Sequence, residues 1–476
     1  MKKILIYNWI AFDEKENKGG GVSVYTRNLV RHLSARKDWE VYFLSSGRAY
    51  DLSRKGTFIE SVENMFGDAC KSFQIVNSPV LSSAHLSFPY PWMIYEDKEL
   101  KKVVRQFLEK EKFDIVHFQN LEGLSLGMLA LKREFPEMKF LYSLHNYYPF
   151  CPQVMLWKED SGNCREKDCG TCCIACMPRD VHRKKVVFNQ WLAYRRQREG
   201  RISPIWEKLQ KVVEDGCGTY DRKLNGRITA RKRVRLEKAF KRFREENVCH
   251  LNQYMDVVLA VSERTAEIGL AFGVRKEKMA VSYIGTEVAS EQRGTGAYPY
   301  GTGAFRICYL GYMRKAKGFY FLMEALEKLP PETAAKIGLI LAVRITDREI
   351  EERIECLRKR MAEIRIYDGY QHEDLPKILT DVQLGIVPNL WEDNLPQVAI
   401  EMKAYGIPVL TSDCGGAKEL TKSEEFCFRA GDVEDFQRKL SAFVAAPERL
   451  GAYWVDAPKL PTMEEHIADL MKYYLG

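Results

Sequence analysis

Short apolar runs alternate along this chain with stretches whose apolar residues recur at helical spacing. The opening "KILIYNWIAF" suits a buried strand. In "ENKGGGVSVYTRNLVRHLSAR", Gly19, Gly20 and Gly21 precede a segment that sets Val22, Tyr25, Leu29 and Leu33 on one helical face. "WEVYFLSS" predicts a strand, "LKKVVRQFLEKEK" a helix, "FDIVHFQN" a strand, "LSLGMLALKREF" a helix and "KFLYSLHNYYPF" a strand. After a cysteine-rich and basic stretch, "YMDVVLAVSERTAEIGLAFGV" predicts strand then helix, and "KMAVSYIG" a strand. A second set begins at "FRICYLGYMRKAKGFYFLMEALEKL" and continues through "IGLILAV", "IRIYDGY", "VQLGIVPN" and "GIPVLTS". "TMEEHIADLMKYYLG" closes the chain as an amphipathic helix. Strands alternating with helices imply parallel, doubly wound sheets. At 476 residues the chain is too long for one ordinary core. The reading is α/β, with two Rossmann-like domains. The first spans 1–285 and carries an insertion at 151–250. A linker follows at 286–303, where "TEVASEQRGTGAYPYGTG" has no apolar period, and the second domain spans 304–460. Ligands in such sheets bind beyond the carboxyl ends of the strands, so the cleft between the two domains is the expected site.

Composition narrows the class. Apolar residues make up 46% and charged residues 29%, which suits a globular protein, and no run of about 18 uncharged apolar residues predicts a membrane-spanning helix. "MKKILIYNWIAF" is like the start of a signal peptide, but Asp13 and Glu14 follow at once without a small-residue cleavage site, so a buried strand explains it better. Of 13 cysteines, six crowd between Cys151 and Cys176 while the rest are scattered, which reads as thiols in a reducing compartment and places the protein in the cytoplasm. The net charge of +8 is uneven: residues 182–246 hold 20 Lys and Arg against 8 Asp and Glu, so this segment is basic and the remainder slightly acidic.

Three loops carry candidate chemistry. Gly19–Gly21 lets a ligand approach the backbone at a helix start, where N–H groups and the positive dipole end favour a phosphate or polar group; it is not G-x-G-x-x-G, so a dinucleotide fingerprint is absent. In "GYMRKAKGF", Arg314, Lys315 and Lys317 precede Gly318 and a helix, a place from which cations clamp a diphosphate. In "WEDNLPQVAIEMKAY", Leu395 and Pro396 fit a first helical turn, Asp393 and Asn394 the cap region, and Glu401 the helix body. Eight helical residues turn about 800°, so the two acids need not share a face and should differ in role. A capped helix with one surface glutamate has the same spacing.

The segment "EDNLPQVAIEMKAYGIPVLTSDCGGAKEL" resembles the donor-site signature of glycosyltransferase family 4, a retaining group with the GT-B fold. In that family two glutamates flank seven residues, the first contacting the donor sugar and the second the ribose. Asp393 and Glu401 take these places, one methylene short at the first, with Glu392 beside it as a substitute. A "GG-x-x-E" turn follows at Gly415 and Gly416. "GYMRKAKG" is similar to the family's "GR…KG" loop. That makes Lys317 the diphosphate lysine, while the family arginine falls at Tyr312 and leaves Arg314 to supply charge. His145, in "YSLHNYYPFCP", takes the place of the family histidine that faces the donor sugar. The resemblance therefore implies His145, Asp393 and Lys317 as catalytic residues. It implies Gly20, Gly21, Arg314, Lys317, Asn394, Leu395, Glu401, Gly415 and Gly416 as donor-binding residues. It also implies a final helix, 461–476, that crosses back onto the first domain. The implied chemistry is front-face sugar transfer with retained configuration from a UDP- or GDP-linked sugar. The acceptor would be a saccharide or lipid-linked saccharide in cell-surface polysaccharide synthesis. No D-x-D motif stands in the expected place, so no divalent metal is expected for catalysis.

Two stretches remain. Cys151, Cys164, Cys169 and Cys172, with Cys173 and Cys176 as alternates, have spacings that suit structural zinc, an iron–sulfur cluster, free thiols or a redox disulfide. A subset of the family carries a similar cysteine-bearing loop. The basic block reads as helices that dock on an anionic membrane surface, bind nucleic acid, or are simply solvated. The expectation is a cytoplasmic protein, peripheral at the inner membrane face, with no nucleic-acid partner. Other function classes are a nucleotide-sugar epimerase of GT-B fold and a nucleic-acid-binding protein.

Overall fold

The apolar runs pair into two main sheets in a computed structural model of the chain, which describes residues 1–13, 19–166, 170–179, 181–200, 206, 228–291, 303–345 and 348–476. The first half supplies β1 (Lys2–Tyr7), β2 (Trp39–Ala49), β3 (Phe58–Val62), β4 (Cys70–Val76), β5 (Ile115–Phe118) and β6 (Lys139–Leu144). A separate hairpin, β7 (Trp157–Lys158) and β8 (Gly162–Asn163), comes next, followed by β9 (Val257–Ala260) and β10 (Met279–Val281). The sheet order is β10-β9-β6-β5-β1-β2-β4-β3, and β7 pairs with β8 alone. Every pairing in the large sheet is parallel except β3 with β4. That antiparallel edge departs from the purely parallel expectation. β3 keeps all five residues at least partly exposed, so it lacks the continuous apolar run that announces a central strand.

The second sheet comprises β11 (Phe305–Leu310), β12 (Ile337–Val343), β13 (Glu363–Asp368), β14 (Leu384–Val387), β15 (Val409–Ser412) and β16 (Cys427–Phe428), in the order β13-β12-β11-β14-β15-β16 and all parallel. All seven residues of β12 are buried, as a strand covered by helices on both faces requires.

Local signals set the helices. In Lys98–Glu111, Leu100, Val104, Phe107 and Leu108 form the buried stripe; the Asp97 carboxylate accepts the Leu100 N–H, and Lys112 ends the helix in the left-handed region. "LSLGMLALKREF" does not form the α-helix its spacing predicts but a 3-10 segment, Leu126–Arg133. Its first N–H groups donate to Ile94 and Tyr95 carbonyls, which ties the start of the segment to a neighbouring loop. The terminal helix Met463–Leu475 is capped reciprocally by Thr462 and Glu465. It lies against the first domain: Tyr474 Oη is 2.7 Å from His117 Nδ1, His466 Nε2 is 2.7 Å from Tyr25 Oη, and Ser282 donates to Asp469.

The insertion holds the β7–β8 hairpin and two long helices, Arg183–Glu199 and Ala230–Tyr254. The second buries Leu236, Phe240, Phe243, Leu251 and Tyr254, while every residue from Thr229 to Arg235 is exposed. Much of the basic stretch between these helices, and most of the expected linker, lies outside the described residues. Among the described residues no helix is long and apolar enough to cross a membrane.

Candidate functional site

Residues at the carboxyl ends of β6, β11, β14 and β15 are bonded to one another. After β11 the chain turns at Gly318, whose φ of +72° suits glycine and where a Cβ would stand 1.7 Å from the Pro388 carbonyl oxygen. This close approach sets Lys317 against the loop after β14. Its ammonium lies 2.6 Å from Asp393 Oδ2, which also accepts from Asn389 Nδ2 at 2.9 Å. Lys317 Nζ also stands 5.2 Å from the centre of the Trp391 ring. After β15, Gly415 has φ +77° and fits against the Asp393 backbone, and Gly416 N–H donates to the Asp393 carbonyl at 2.9 Å. The structure thus brings Lys317, Asp393, Gly415 and Gly416 together.

Asn394 and Leu395 lead into the helix Gln397–Ala404, which starts after Pro396 rather than at Leu395. Asn394 Nδ2 donates to the carbonyl of Leu144, the residue before His145, and the Asn394 carbonyl accepts from Ser262 Oγ at 2.6 Å. The donor loop therefore touches the strand end that carries His145. Leu395 is buried. Glu401 projects from the helix body, largely buried, with His372 Nδ1 3.5 Å away; burial raises its carboxyl pKa and His372 opposes the rise. Gly21 comes close to the same helix, accepting from Gln397 Nε2 at 2.9 Å, while Gly20 starts its own helix with φ +56°. Arg314 is exposed, with its guanidinium 5.4 Å from the Tyr312 ring.

His145 follows the last residue of β6. Its Nε2 is 2.9 Å from Gln119 Oε1, and its ring centre lies 4.7 Å from that of Tyr25. Burial, then the neighbouring His466, holds its pKa down to about 3, so the imidazole is neutral at pH 7. His117 is likewise held to about 3 and His466 to about 4, chiefly by burial.

Glu392, the residue beside Asp393, is paired across the domains. Arg264, from the first domain, grips it with Nε and Nη2 at 2.9 and 2.6 Å, and Gly415 N–H donates to it at 3.0 Å. Burial pushes the Glu392 carboxyl up, but the Arg264 hydrogen bonds and charge outweigh it and hold the group below its usual value. Glu419 accepts the backbone N–H groups of Glu263 and Arg264 at 2.9 and 2.8 Å, so this carboxylate caps a helix of the opposite domain. Sequence reasoning passed over Arg264, Gln119, Asn389 and Glu419. Only Glu419 had a signal, as the acid of the "GG-x-x-E" turn.

The cysteines are dispersed in their roles. Cys151 and Cys173 are buried, which lifts their thiols to about 11 and about 12; Cys173 Sγ lies 3.3 Å from an Arg244 nitrogen, and Cys176 Sγ accepts from the Glu159 N–H at 3.4 Å. Among the described residues no three His, Cys, Asp or Glu side chains are grouped to hold a metal ion, and Cys169 lies outside them. The expected set of Cys151, Cys164, Cys169 and Cys172 is therefore not assembled among the described residues, nor is one with Cys173 or Cys176. Arg244, beside Cys173, favours the thiolate that a metal would need, while burial opposes it.

Comparison with known proteins adds to this geometry. A family model described as glycosyl transferases group 1 matches residues 304–445, and one described as glycosyltransferase family 4 matches residues 19–171. Spore coat protein SA of Bacillus subtilis (strain 168) is 22% identical over 158 residues, 31% of this chain; the match spans 42% of that relative's length. Sucrose-phosphate synthase from Thermosynechococcus elongatus aligns over 100% of this chain and 98% of its own, with TM-score 0.59 and 15% identity. HepE from Anabaena, in complex with UDP and glucose, aligns over 100% of both chains with TM-score 0.55 and 12% identity. The lipopolysaccharide outer core galactosyltransferase WaaB, in its apo form, covers 100% of this chain and 99% of its own at TM-score 0.56 and 12% identity. These likenesses show the fold, two Rossmann-like domains in the GT-B arrangement, as the sequence reading expects.

Proposed function

Since the chain belongs to the group 1, family 4 glycosyltransferases, we propose that it moves a sugar, with retention, from a nucleotide sugar to a saccharide acceptor. The observation that carries this reading is the Lys317–Asp393 pair at 2.6 Å, backed by Gly415–Gly416, on a loop whose Asn394 bonds to the Leu144 carbonyl beside His145. In transfer, the bond between the anomeric carbon and the diphosphate breaks and its electron pair goes to the diphosphate. Lys317 stabilises that charge. The acceptor oxygen bonds to the same face of the sugar, and its proton passes to the leaving phosphate. Asp393 orients Lys317 and contacts the donor sugar, the neutral His145 donates to or accepts from a sugar hydroxyl, and Glu401 holds the ribose. Arg314 adds charge from the rim. HepE, of the same fold, is described in complex with UDP and with UDP-glucose, which favours UDP over GDP as the base-bearing half of the donor.

The acceptor side extends this reading toward lipid-linked saccharides at the inner membrane face. The exposed run Arg231, Lys232, Arg233, Val234 and Arg235 suits an anionic bilayer. Flotation with phosphatidylglycerol vesicles checks it, and no binding at low salt overturns it.

Thermal unfolding with UDP, GDP and their sugars tests the donor reading. A ligand at 100 times its dissociation constant adds about 2.7 kcal/mol to stability. A shift with one nucleotide class is expected. Glu401→Ala should remove about 1.5–3 kcal/mol of that binding, the value of a hydrogen bond to a charged group. No shift with any nucleotide sinks the reading.

A further inference from the structure

We propose that the β7–β8 hairpin of the cysteine-bearing insertion is a working part of the donor site, with Asn163 as the positioning residue for the loop that carries Asp393. The inference rests on the glycosyltransferase reading above. The Asn163 side-chain amide grips that loop at two points. Its Nδ2 donates to the Leu390 carbonyl at 2.9 Å, and its Oδ1 accepts from the Glu392 N–H at 3.1 Å. This is the pattern a neighbouring strand would offer, supplied by one side chain from 227 residues earlier in the chain. Nδ2 also lies 3.7 Å from Cys414 Sγ, in the turn ahead of Gly415.

The second donor loop meets the same hairpin. Lys315, two residues before Lys317, pairs with Asp160 at the hairpin turn at 3.4 Å. Leu390 and Trp391 N–H groups donate to the Ala316 carbonyl at 2.8 and 3.3 Å, so the two loops are also tied to each other. Trp391 and Ala316 belong to the apolar cluster of the first domain, together with Leu156 and Trp157 of the insertion. One element therefore touches the segment before Lys317 and the segment before Asp393, and it belongs to the opposite domain.

The hairpin is itself well fixed. Cys164 N–H donates to the Leu156 carbonyl at 2.6 Å, Trp157 Nε1 to Asp160 Oδ1 at 3.0 Å, and Glu159 N–H to Cys176 Sγ. A rigid support of this kind holds the Lys317–Asp393 geometry before the donor arrives, which is what transition-state stabilisation by fixed charges requires. It also explains why an insertion placed just after the His145 strand reaches across to the other domain.

The test uses the full chain with Asn163→Ala and Asn163→Asp, titrated with UDP, GDP and their sugars and assayed for transfer. Loss of two neutral hydrogen bonds predicts about tenfold weaker binding of the donor in Asn163→Ala, seen as a raised KM and a raised Kd, with the melting temperature of the ligand-free chain within about 2 °C of wild type. Asn163→Asp keeps an acceptor for Glu392 N–H but sets a carboxylate oxygen against the Leu390 carbonyl, so it should weaken donor binding at least as much as Asn163→Ala. Donor KM and Kd within twofold of wild type in Asn163→Ala overturn the inference, as does a loss matched by a drop in ligand-free stability. If the wild type binds no nucleotide, the glycosyltransferase reading and this inference fall together. If the wild type binds and Asn163→Ala binds equally, only the hairpin's role falls.

Discussion

The two sides of the cleft handle buried polarity in opposite ways. On the donor side, charge is kept and paired: Lys317 with Asp393 at 2.6 Å, and Glu392 with the Arg264 fork. On the facing side, charge is suppressed. His117, His145 and His466 are held to about 3, about 3 and about 4, and burial pushes the Glu122 carboxyl up to about 7. The difference comes from partners. The donor side gives Lys317 and Glu392 counter-ions, whereas the facing side offers amides and hydroxyls such as Gln119, Ser143 and the Tyr25 phenol. A leaving diphosphate needs a fixed cation; a sugar hydroxyl needs a neutral donor or acceptor. The partition matches the two halves of the proposed reaction.

The largest expected effect lies on the charged side. Lys317→Ala should lower kcat by about 10² to 10³, the loss typical of removing one donor to developing negative charge. Steady-state transfer kinetics check this, and a kcat within tenfold of wild type breaks the contrast at its centre. Next comes Arg264→Ala, which leaves Glu392 buried without its partner and should destabilise the chain by up to about 3 kcal/mol in urea unfolding. The double change Arg264→Met with Glu392→Met should recover most of that loss. If it does not, the pair has a role besides mutual compensation.

The smallest effect per step belongs to the neutral side. The folded pKa values of the three histidines lie below the unfolded value of 6.5, so the unfolded chain binds more protons between those limits. Their contribution is complete above pH 6.5 and declines as pH falls toward 4, by up to about 1.4 kcal/mol per pH unit for each histidine. Glu122 has the opposite sign: its folded pKa is raised, so its contribution declines as pH rises from 4.5 through 7. Melting temperature measured from pH 7 to 4.5 should fall with a slope that His466→Gln reduces. A flat profile over that range would mean that the histidines are charged in the folded chain.

Much of the fold was legible because central strands are continuous apolar runs and the helices between them have clear stripes. β3 and the 3-10 segment Leu126–Arg133 were not, since their form depends on neighbours rather than on their own spacing. Lys317 and Asp393 were found through a local motif, and the structure sets them side by side. Asn163 and Arg264 carried no such signal. Each acts on a segment more than 120 residues away through side-chain geometry that only the folded chain creates. Glu392 looks like a spare for Asp393 from its position alone, and the folded chain pairs it with Arg264 of the other domain.

The passage between the domains deserves a mechanical reading. The chain leaves the first domain at Gly285 and Thr286 and comes back at Pro461, with the Thr286 N–H 3.3 Å from the Pro461 carbonyl oxygen. A Cβ on Gly285 would stand 2.6 Å from the His466 Cβ, so the two passages are in direct contact. Two adjacent tethers would act as a pivot, and a swing about them would have to part the bonds made across the cleft by Asn163, Arg264 and Glu419. Opening and closing of the cleft would then be a swing about this crossing, and the contacts farthest from it would be the first to part and the last to meet.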